Sequence, residues 1–313
     1  MLEIRRARAE DAEDVLSFCR QTFDWGDYID EVWSGWLADE TGELLVATVD
    51  GHAAGILHLA LAPEGQAFLE GLRVNPLYRR TGIGRTLTEV ALAKARDKGA
   101  STARLLIALA NRPSMSLARQ LGFRQIASYR VFTRRAAQSD AVDNIRPGRP
   151  EDAPLLLELA RAVAPSARFP EVAAFWGWTW AELTADVLAR ACRDGIIQVA
   201  VKRPSSAGDK GGAASSSGEL IQAWAATRTE GTELAISSMY AMTEHAAGEL
   251  LSACCDIARR QGLETVSVFV PSWSSPQVNL IAVLWQKGFR QEENWGEFAL
   301  FERRLFDEPV TPA

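Results

Sequence analysis

Apolar and polar positions along this chain follow two periods, and the switches between them mark its elements. Residues 2–6 alternate as a short strand. Asp11 then stands where a helix N-cap belongs, ahead of Val15, Phe18, Cys19 and Thr22 on one helical face. Residues 28–39, YIDEVWSGWLAD, repeat at the helical period with Val32, Trp33 and Trp36 clustered. The run from 43 to 61 reads as two strands joined at Asp50-Gly51, a hairpin signal. Residues 66–74, QAFLEGLRV, form another strand, whose internal Gly71 predicts a bulge or close backbone approach by a ligand. A helix follows over 85–98 with Leu87, Val90, Ala91 and Ala95 inward and Gly99 as its stop. A strand (102–109), a short helix (113–121) and a final strand (130–135) complete the pattern. Such an order predicts an α/β fold, with an open, largely antiparallel sheet flanked by helices.

The pattern then repeats. Residues 4–16, IRRARAEDAEDVL, return at 145–157 as IRPGRPEDAPLLL; LGFRQ at 121–125 returns as KGFRQ at 287–291. Phe132-x-Arg134-Arg135 returns as Phe301-x-Arg303-Arg304. Three matches in one order predict two related units, 1–136 and 144–313, with a boundary in AAQSDAVDN. The second carries its helix at 246–261, its strand at 265–271, and a Gly/Ser/Ala-rich insertion over 202–219 that reads as a flexible loop.

The chain has 313 residues, 47% hydrophobic and 24% charged, which suits two globular domains. A net charge of −6 argues against nucleic acid as partner. No apolar run approaches the ~20 residues needed to span a membrane, and the charged N-terminus resembles no signal peptide. A cytoplasmic location is expected, with no membrane partner. Cys19, Cys192, Cys254 and Cys255 have no metal-ligand spacing, and the adjacent pair reads as buried apolar residues. His52, His58 and His245 are scattered, so no metal is expected.

Residues 79–85, Arg-Arg-Thr-Gly-Ile-Gly-Arg, lie between the 66–74 strand and a helix. Helix N-termini offer unpaired N–H groups to anions, and glycines let a phosphate approach the backbone. Arg79, Arg80 and Arg85 add directed donors. A nucleotide P-loop would need a Lys that is missing, and a dinucleotide fingerprint would need Gly where Leu87 stands. Alone, such a string serves equally as a surface turn.

With Val74 and Pro76 before it and NRPSMSLARQLGF (111–123) after it, the string resembles the pyrophosphate loop and second motif of the GNAT superfamily of acyl-CoA-dependent N-acyltransferases. The resemblance covers 1–135 and, more weakly, 144–305. It implies two tandem GNAT-like domains and acetyl transfer from acetyl-CoA, without a metal, to the primary amine of a small molecule or amino acid. Pantetheine would run along Leu72, Arg73 and Val74, with an N–H at Leu72–Val74 for the thioester oxygen. The pyrophosphate would sit on the amides of Arg80, Thr81, Gly82, Ile83, Gly84 and Arg85, beside Arg79; Asn111 and Ser114 belong to the second motif. Glu70 stands where family members often place a carboxylate base, although a solvated Glu is the plain alternative. Alternation gives Glu70 the face of residues 72 and 74 unless a bulge at Gly71 re-aims it.

Ala118 occupies the position of the Tyr that, in many members, protonates the leaving thiolate. That leaves water, Ser114, Ser116 or Tyr129 for the role. In the second unit, aligning Gly99 with Gly262 puts Met242, His245 and Ala247 opposite Arg79, Gly82 and Gly84, with Leu284 at the Tyr position. This predicts a degenerate copy that does not hold acetyl-CoA and serves structure or the substrate cleft.

In the family the first two helices cover the acceptor. Asp24 and Asp27 could attract an amine, Trp25 and Tyr28 could wall it, and Arg73 could meet a substrate carboxylate; the last follows a weaker resemblance to histidine and related amino-acid N-acetyltransferases. The string FWGWTW (175–180) reads as packing. A protein or peptide acceptor, or a non-catalytic acyl-CoA sensor, remains the alternative.

Overall fold

A computed structural model describes residues 1–306 except 21, 23–26, 63–64, 138–143, 165–171, 176–178, 203–212, 215–218, 273–277 and 294–295. Much of the expected boundary segment, most of the Gly/Ser-rich insertion, and Trp176 and Trp178 therefore lie outside the described residues.

The first half contains β1 (Leu2–Arg6), α1 (Ala12–Cys19), α2 (Ile29–Leu37), β2 (Glu43–Val49), β3 (His52–Ala62) and β4 (Gln66–Val74). These lead into α3 (Ile83–Asp97), β5 (Thr102–Ala108), α4 (Arg112–Gln120) and β6 (Arg124–Arg135). The second half contains β7 (Ile145–Pro147), α5 (Ala153–Val163), β8 (Val172–Phe175), β9 (Thr179–Glu182), α6 (Ala185–Arg193) and β10 (Ile197–Lys202). Then come β11 (Ala213–Ala214), β12 (Leu220–Glu230), β13 (Glu233–Ala241), α7 (Glu244–Arg260), β14 (Thr265–Pro271), α8 (Leu280–Gln286), β15 (Arg290–Gln291) and β16 (Glu297–Arg304). Among the described residues no helix is long and apolar enough to cross a membrane.

Two compact units form, and neither is contiguous along the chain. One takes Met1–Ile107, Asn111–Gln125 and the chain from Leu300; the other takes Ala108–Ala110 and Ile126–Ala299. The first orders its strands β1-β2-β3-β4-β5 and adds β16; the second orders β7-β10-β12-β13-β14 and adds β6. Each unit is thus completed by the strand that sequence order would give the other. The pairs β1–β2, β2–β3, β3–β4, β7–β10, β10–β12, β12–β13 and β6–β14 are antiparallel, whereas β4–β5 and β13–β14 are parallel.

The repeated strings show why this exchange works. Gly122 and Gly288 follow α4 and α8 at φ +79° and +81°, the left-handed turn that ends a helix. Arg303 Nη1 donates to Leu121 O at 2.7 Å, and Arg134 Nη1 donates to Lys287 O at 2.6 Å. Both arginines come from a Phe-x-Arg-Arg strand, so either strand carries the side chain that either helix end needs.

The other repeat fastens β1 and β7 to the helices that follow. Arg5 holds Asp11 through two bonds of 2.8 and 2.7 Å, and Asp11 also accepts the Arg8 N–H at 2.7 Å. Arg146 and Asp152 repeat this at 2.7 and 3.1 Å, with the Arg149 N–H at 2.8 Å. Asp11 therefore looks back to the strand and makes no side-chain cap on α1.

One core packs Val15, Phe18, Trp33 and Trp36 against Leu44 and Ile56. The other packs Leu250, Cys254 and Cys255 against Val266, Leu284, Phe289 and Phe132. All four cysteines are free and buried, as apolar packing requires.

Candidate functional site

The β3–β4 hairpin and the start of α3 build the first unit's site. Asp50 and Gly51 take φ +51° and +88°, a two-residue turn whose twist suits β2 and β3. From the next turn onward β3 and β4 pair regularly back to His58↔Glu70, then slip, so that Ile56 faces Arg73. The extra residue in β4 lies at Gly71, φ +65°. A Cβ there would run into the Trp36 ring, so glycine is required by both backbone and packing. The expected bulge is present.

On its other edge β4 pairs with β5 over Gln66, Phe68 and the residue between them, although it continues to Val74. The two parallel strands part there. The chain leaves Val74 through a short turn capped by Asn75, whose side chain accepts from Leu77 N–H at 3.0 Å. Arg80 and Gly82 adopt φ +66° and +93°, and α3 begins at Ile83. The first helical N–H bonded back is that of Thr86, to Gly82 O at 3.0 Å. Those of Ile83, Gly84 and Arg85 precede it and have no carbonyl one turn behind.

Gly82 is thus needed for its φ. A Cβ on Gly84 would make only ordinary contacts of 3.5 to 3.8 Å with Val74, Leu117 and Leu72. Thr81 Oγ1 fastens the turn to Tyr78 O at 2.7 Å. Arg79 and Arg80 are exposed, and Arg79 Nε reaches Val74 O at 3.4 Å. Arg85 contacts Gln120 and, at 3.6 Å, Glu89. Beside Arg85 a groove of about 440 Å³ is lined by Arg96, Arg303, Glu89 and Gln120 among others. Burial, and after it the neighbouring Arg96 charge, push the Arg303 guanidinium below its ordinary value.

Glu70 is not a solvated side chain. Its Oε1 lies 2.9 Å from His58 Nδ1, and His58 Nε2 lies 3.2 Å from Asp39 Oδ2. The imidazole is 3% exposed and stacks on Trp36 with centroids 4.7 Å apart and planes 12° from parallel. Sequence reasoning treated His58 as one of three scattered histidines. The signal was nevertheless present: Ala62 pairs with Gln66, and counting back four residues from there sets His58 opposite Glu70.

Asp27 and Arg73 are brought together, with a consequence for the acceptor reading. Arg73 Nε and Nη2 bind the two Asp27 oxygens at 2.6 and 2.9 Å, with the Asp27 side chain 1% exposed. The guanidinium also lies 5.3 Å over the Tyr28 ring. Each charge offsets the other, so the two residues expected to meet an amine and a carboxylate separately are here paired with one another. Burial pushes the Tyr28 phenol up to about 12. Asp24 and Trp25 lie outside the described residues.

Asn111 caps α4, its side chain accepting the Ser114 N–H at 3.2 Å; Asn279 does the same for α8 with Ala282 N–H at 3.1 Å. Tyr129 belongs to the second unit, 4.5 Å from Trp180 between ring centroids. Its buried hydroxyl has no partner among the described residues, and burial pushes its pKa far up. Phe175 and Trp180 are buried, as the packing reading of their string expects.

The second unit's matching corner differs in length. β13 ends at Ala241 and α7 begins at Glu244, leaving only Met242 and Thr243 where the first unit has residues 75–82. Thr243 caps α7 by accepting the Ala246 N–H at 3.1 Å. The expected residue-for-residue match of Met242, His245 and Ala247 to Arg79, Gly82 and Gly84 is therefore corrected. The loop is absent, and His245 stands on the first turn of a longer helix, 3.3 Å from Glu249. At the strand position matching Glu70, Ser237 donates to Ala174 O of β8 at 2.7 Å.

Comparison with known proteins agrees with this geometry. The model of the acetyltransferase (GNAT) family matches residues 9–123. An aminoglycoside N(6')-acetyltransferase type 1 from Klebsiella aerogenes is 33% identical over 111 residues, 33% of this chain and 73% of that protein. A GCN5-related N-acetyltransferase from Sphaerobacter thermophilus aligns with a TM-score of 0.62 at 16% identity, over 97% of this chain and 96% of that one. A tandem GNAT protein from the clavulanic acid biosynthesis pathway aligns at 0.57 and 18%, over 98% and 100%. At such identities the two structures show a shared fold.

Proposed function

Because this chain belongs to the GNAT acetyltransferase family and is an N-acetyltransferase, we propose that its first unit transfers an acetyl group from acetyl-CoA to the primary amine of a small molecule. The observation that carries this reading is the parted β4 edge, which runs into the glycine-capped start of α3. An extended amide chain ending in a pyrophosphate matches those two features in that order. Leu72, Arg73 and Val74 would pair with pantetheine as a further strand does. The N–H groups from Arg80 to Arg85 would take the pyrophosphate, helped by the α3 dipole. The arginine-lined groove at Arg85, Arg96 and Arg303 suits the nucleotide's remaining phosphate.

Glu70 takes a proton as the amine nitrogen becomes nucleophilic. The nitrogen attacks the thioester carbon, and a β4 N–H from the Leu72–Val74 segment faces the oxygen on which charge develops. The C–S bond then breaks, and the sulfur keeps its electron pair and takes a proton. The aminoglycoside acetyltransferase relative supports a small-molecule acceptor. The second unit, without the loop, serves structure or the acceptor cleft.

Calorimetric titration with acetyl-CoA, followed by thiol release against aminoglycosides, polyamines, amino acids and peptides, tests the reading. Saturable binding with release on a small amine supports it. Release on peptides alone moves the acceptor to protein, binding without any release points to a sensor, and no binding overturns the assignment of the loop.

A further inference from the structure

We propose that His58, set by Asp39 and Trp36, is a positioning residue for Glu70: it occupies Oε1 and leaves Oε2 as the oxygen that takes the amine's proton. This rests on the reading of Glu70 as the base. Imidazole nitrogens and carboxylate oxygens contact at 2.9 and 3.2 Å only when a proton lies between them, so Asp39, His58 and Glu70 hold two protons among them.

Asp39 fixes where the first one lies. Its Oδ1 accepts from Thr41 N–H at 2.9 Å, Thr41 Oγ1 at 2.8 Å and Gly42 N–H at 2.9 Å. Burial pushes the Asp39 carboxyl up, but the bonds from Gly42 and Thr41 outweigh it and hold the group below its ordinary value. Asp39 is therefore the acceptor, His58 Nε2 the donor, and the second proton sits between Nδ1 and Oε1.

The surroundings make this one rigid assembly. Trp36 stacks on the imidazole and fills the space over Gly71, so ring, bulge and carboxylate are packed together. The groups facing His58 are Glu70 from β4, Asp39 from the turn after α2, Trp36 from α2 and Leu44 across from it on β2. Tyr28 packs edge-on against Trp36, ring centroids 6.1 Å apart.

A purely structural device would be expected in both units, as the Arg5–Asp11 and Arg146–Asp152 pairs are. This one is not. Counted four residues in from the last pair of the matching hairpin, Ala226 and Ser237 take the places of His58 and Glu70, and a bulge there sets Ala226 opposite Ser238 instead. Among the described residues the assembly occurs only where the loop occurs.

Protons balance without consuming the one in the contact. An arriving ammonium gives one proton to Glu70 Oε2. As the C–N bond forms and the C–S bond breaks, a second N–H proton goes to sulfur. The proton on Oε2 returns to water when product leaves.

The test uses the full chain with acetyl-CoA and the best amine from the thiol-release screen. His58→Asn should lower kcat by about ten- to a hundredfold and leave acetyl-CoA affinity and the amine's KM within about twofold of wild type. Unchanged kcat, or a loss confined to KM, overturns the proposal. Should His58→Asn fail to bind acetyl-CoA, His58→Gln takes its place. Independently of any variant, imidazole ¹H–¹⁵N spectra of the wild type contain only three histidines. A proton on His58 Nδ1 is expected, and a bare Nδ1 bonded to nothing overturns the proposal. A fully active Glu70→Gln would instead overturn the base reading, whatever His58 does.

Discussion

The corner where β4 meets α3 and the corner where β13 meets α7 come from one repeated pattern, and they have parted in a specific way. What the two units keep in common is what holds a unit together: the Arg–Asp pair behind the first helix, the Asn cap on the short helix, and the left-handed glycine whose preceding carbonyl an arginine caps. What the second unit lacks is the stretch between strand and helix, and the His58–Glu70 contact behind it. Removing the loop lets α7 start earlier with a threonine cap, so the Ala246 N–H of its first turn is taken by the protein itself. In the first unit α3 starts from Gly82 without a side-chain cap. Fold and chemistry are thus written in separable residues.

The comparison breaks most readily at Gly82. Gly82→Asp puts a charged side chain at φ +93° on a proposed phosphate site, and should weaken acetyl-CoA binding by at least about a hundredfold by calorimetry. His245→Asp at the second unit's helix start should leave that affinity unchanged. A comparable loss from both would mean that the second unit also holds the cofactor.

Glu70→Gln should cut kcat by about a hundredfold or more with acetyl-CoA affinity preserved; Ser237→Ala should not change kcat. Equal effects in steady-state thiol release would contradict the division of labour.

The shared fasteners give the next largest effect, on stability. Arg146→Ala leaves Asp152, 1% exposed at its side chain, without its cation and should cost about 3 kcal/mol in denaturant melts. Arg5→Ala should cost less, about 1–2 kcal/mol, because the Arg5 side chain is 23% exposed and screened by water. Burial pushes the Asp11 carboxyl up, but the bonds from Arg5 and the Arg8 N–H outweigh it and hold it below its ordinary value. Its contribution is therefore present above about pH 4 and lost as pH falls towards the depressed value. Arg5→Ala should flatten that acid dependence.

Gly84→Ala is the smallest test. Nothing in the protein forbids a methyl group there, and the helix should gain up to about 1 kcal/mol. Any loss of acetyl-CoA affinity then reports contact with the ligand alone. Tyr129→Phe removes a hydroxyl without a partner among the described residues, so the fold should tolerate it. A preserved kcat would remove Tyr129 as the proton donor to sulfur and leave water, Ser114 or Ser116.

The sequence by itself determined the duplication, most element positions, the Gly71 bulge and the glycine loop, because each is set by local periodicity or by a backbone conformation that few residues adopt. It also carried the family resemblance, which rests on short strings around one strand–loop–helix. Only the tertiary structure decided which unit each Phe-x-Arg-Arg strand completes, since both strands present the same side chains to the same glycine turn. The same holds for Asp27 and Arg73, which read singly as free charges and cancel once α2's approach and β4 bring them within 3 Å. His58 belongs there too: a lone histidine has no pattern, and its role depends on strand register on one side and on a loop carboxylate on the other. Contacts between distant segments depend on how the chain closes, and local sequence does not encode that closure.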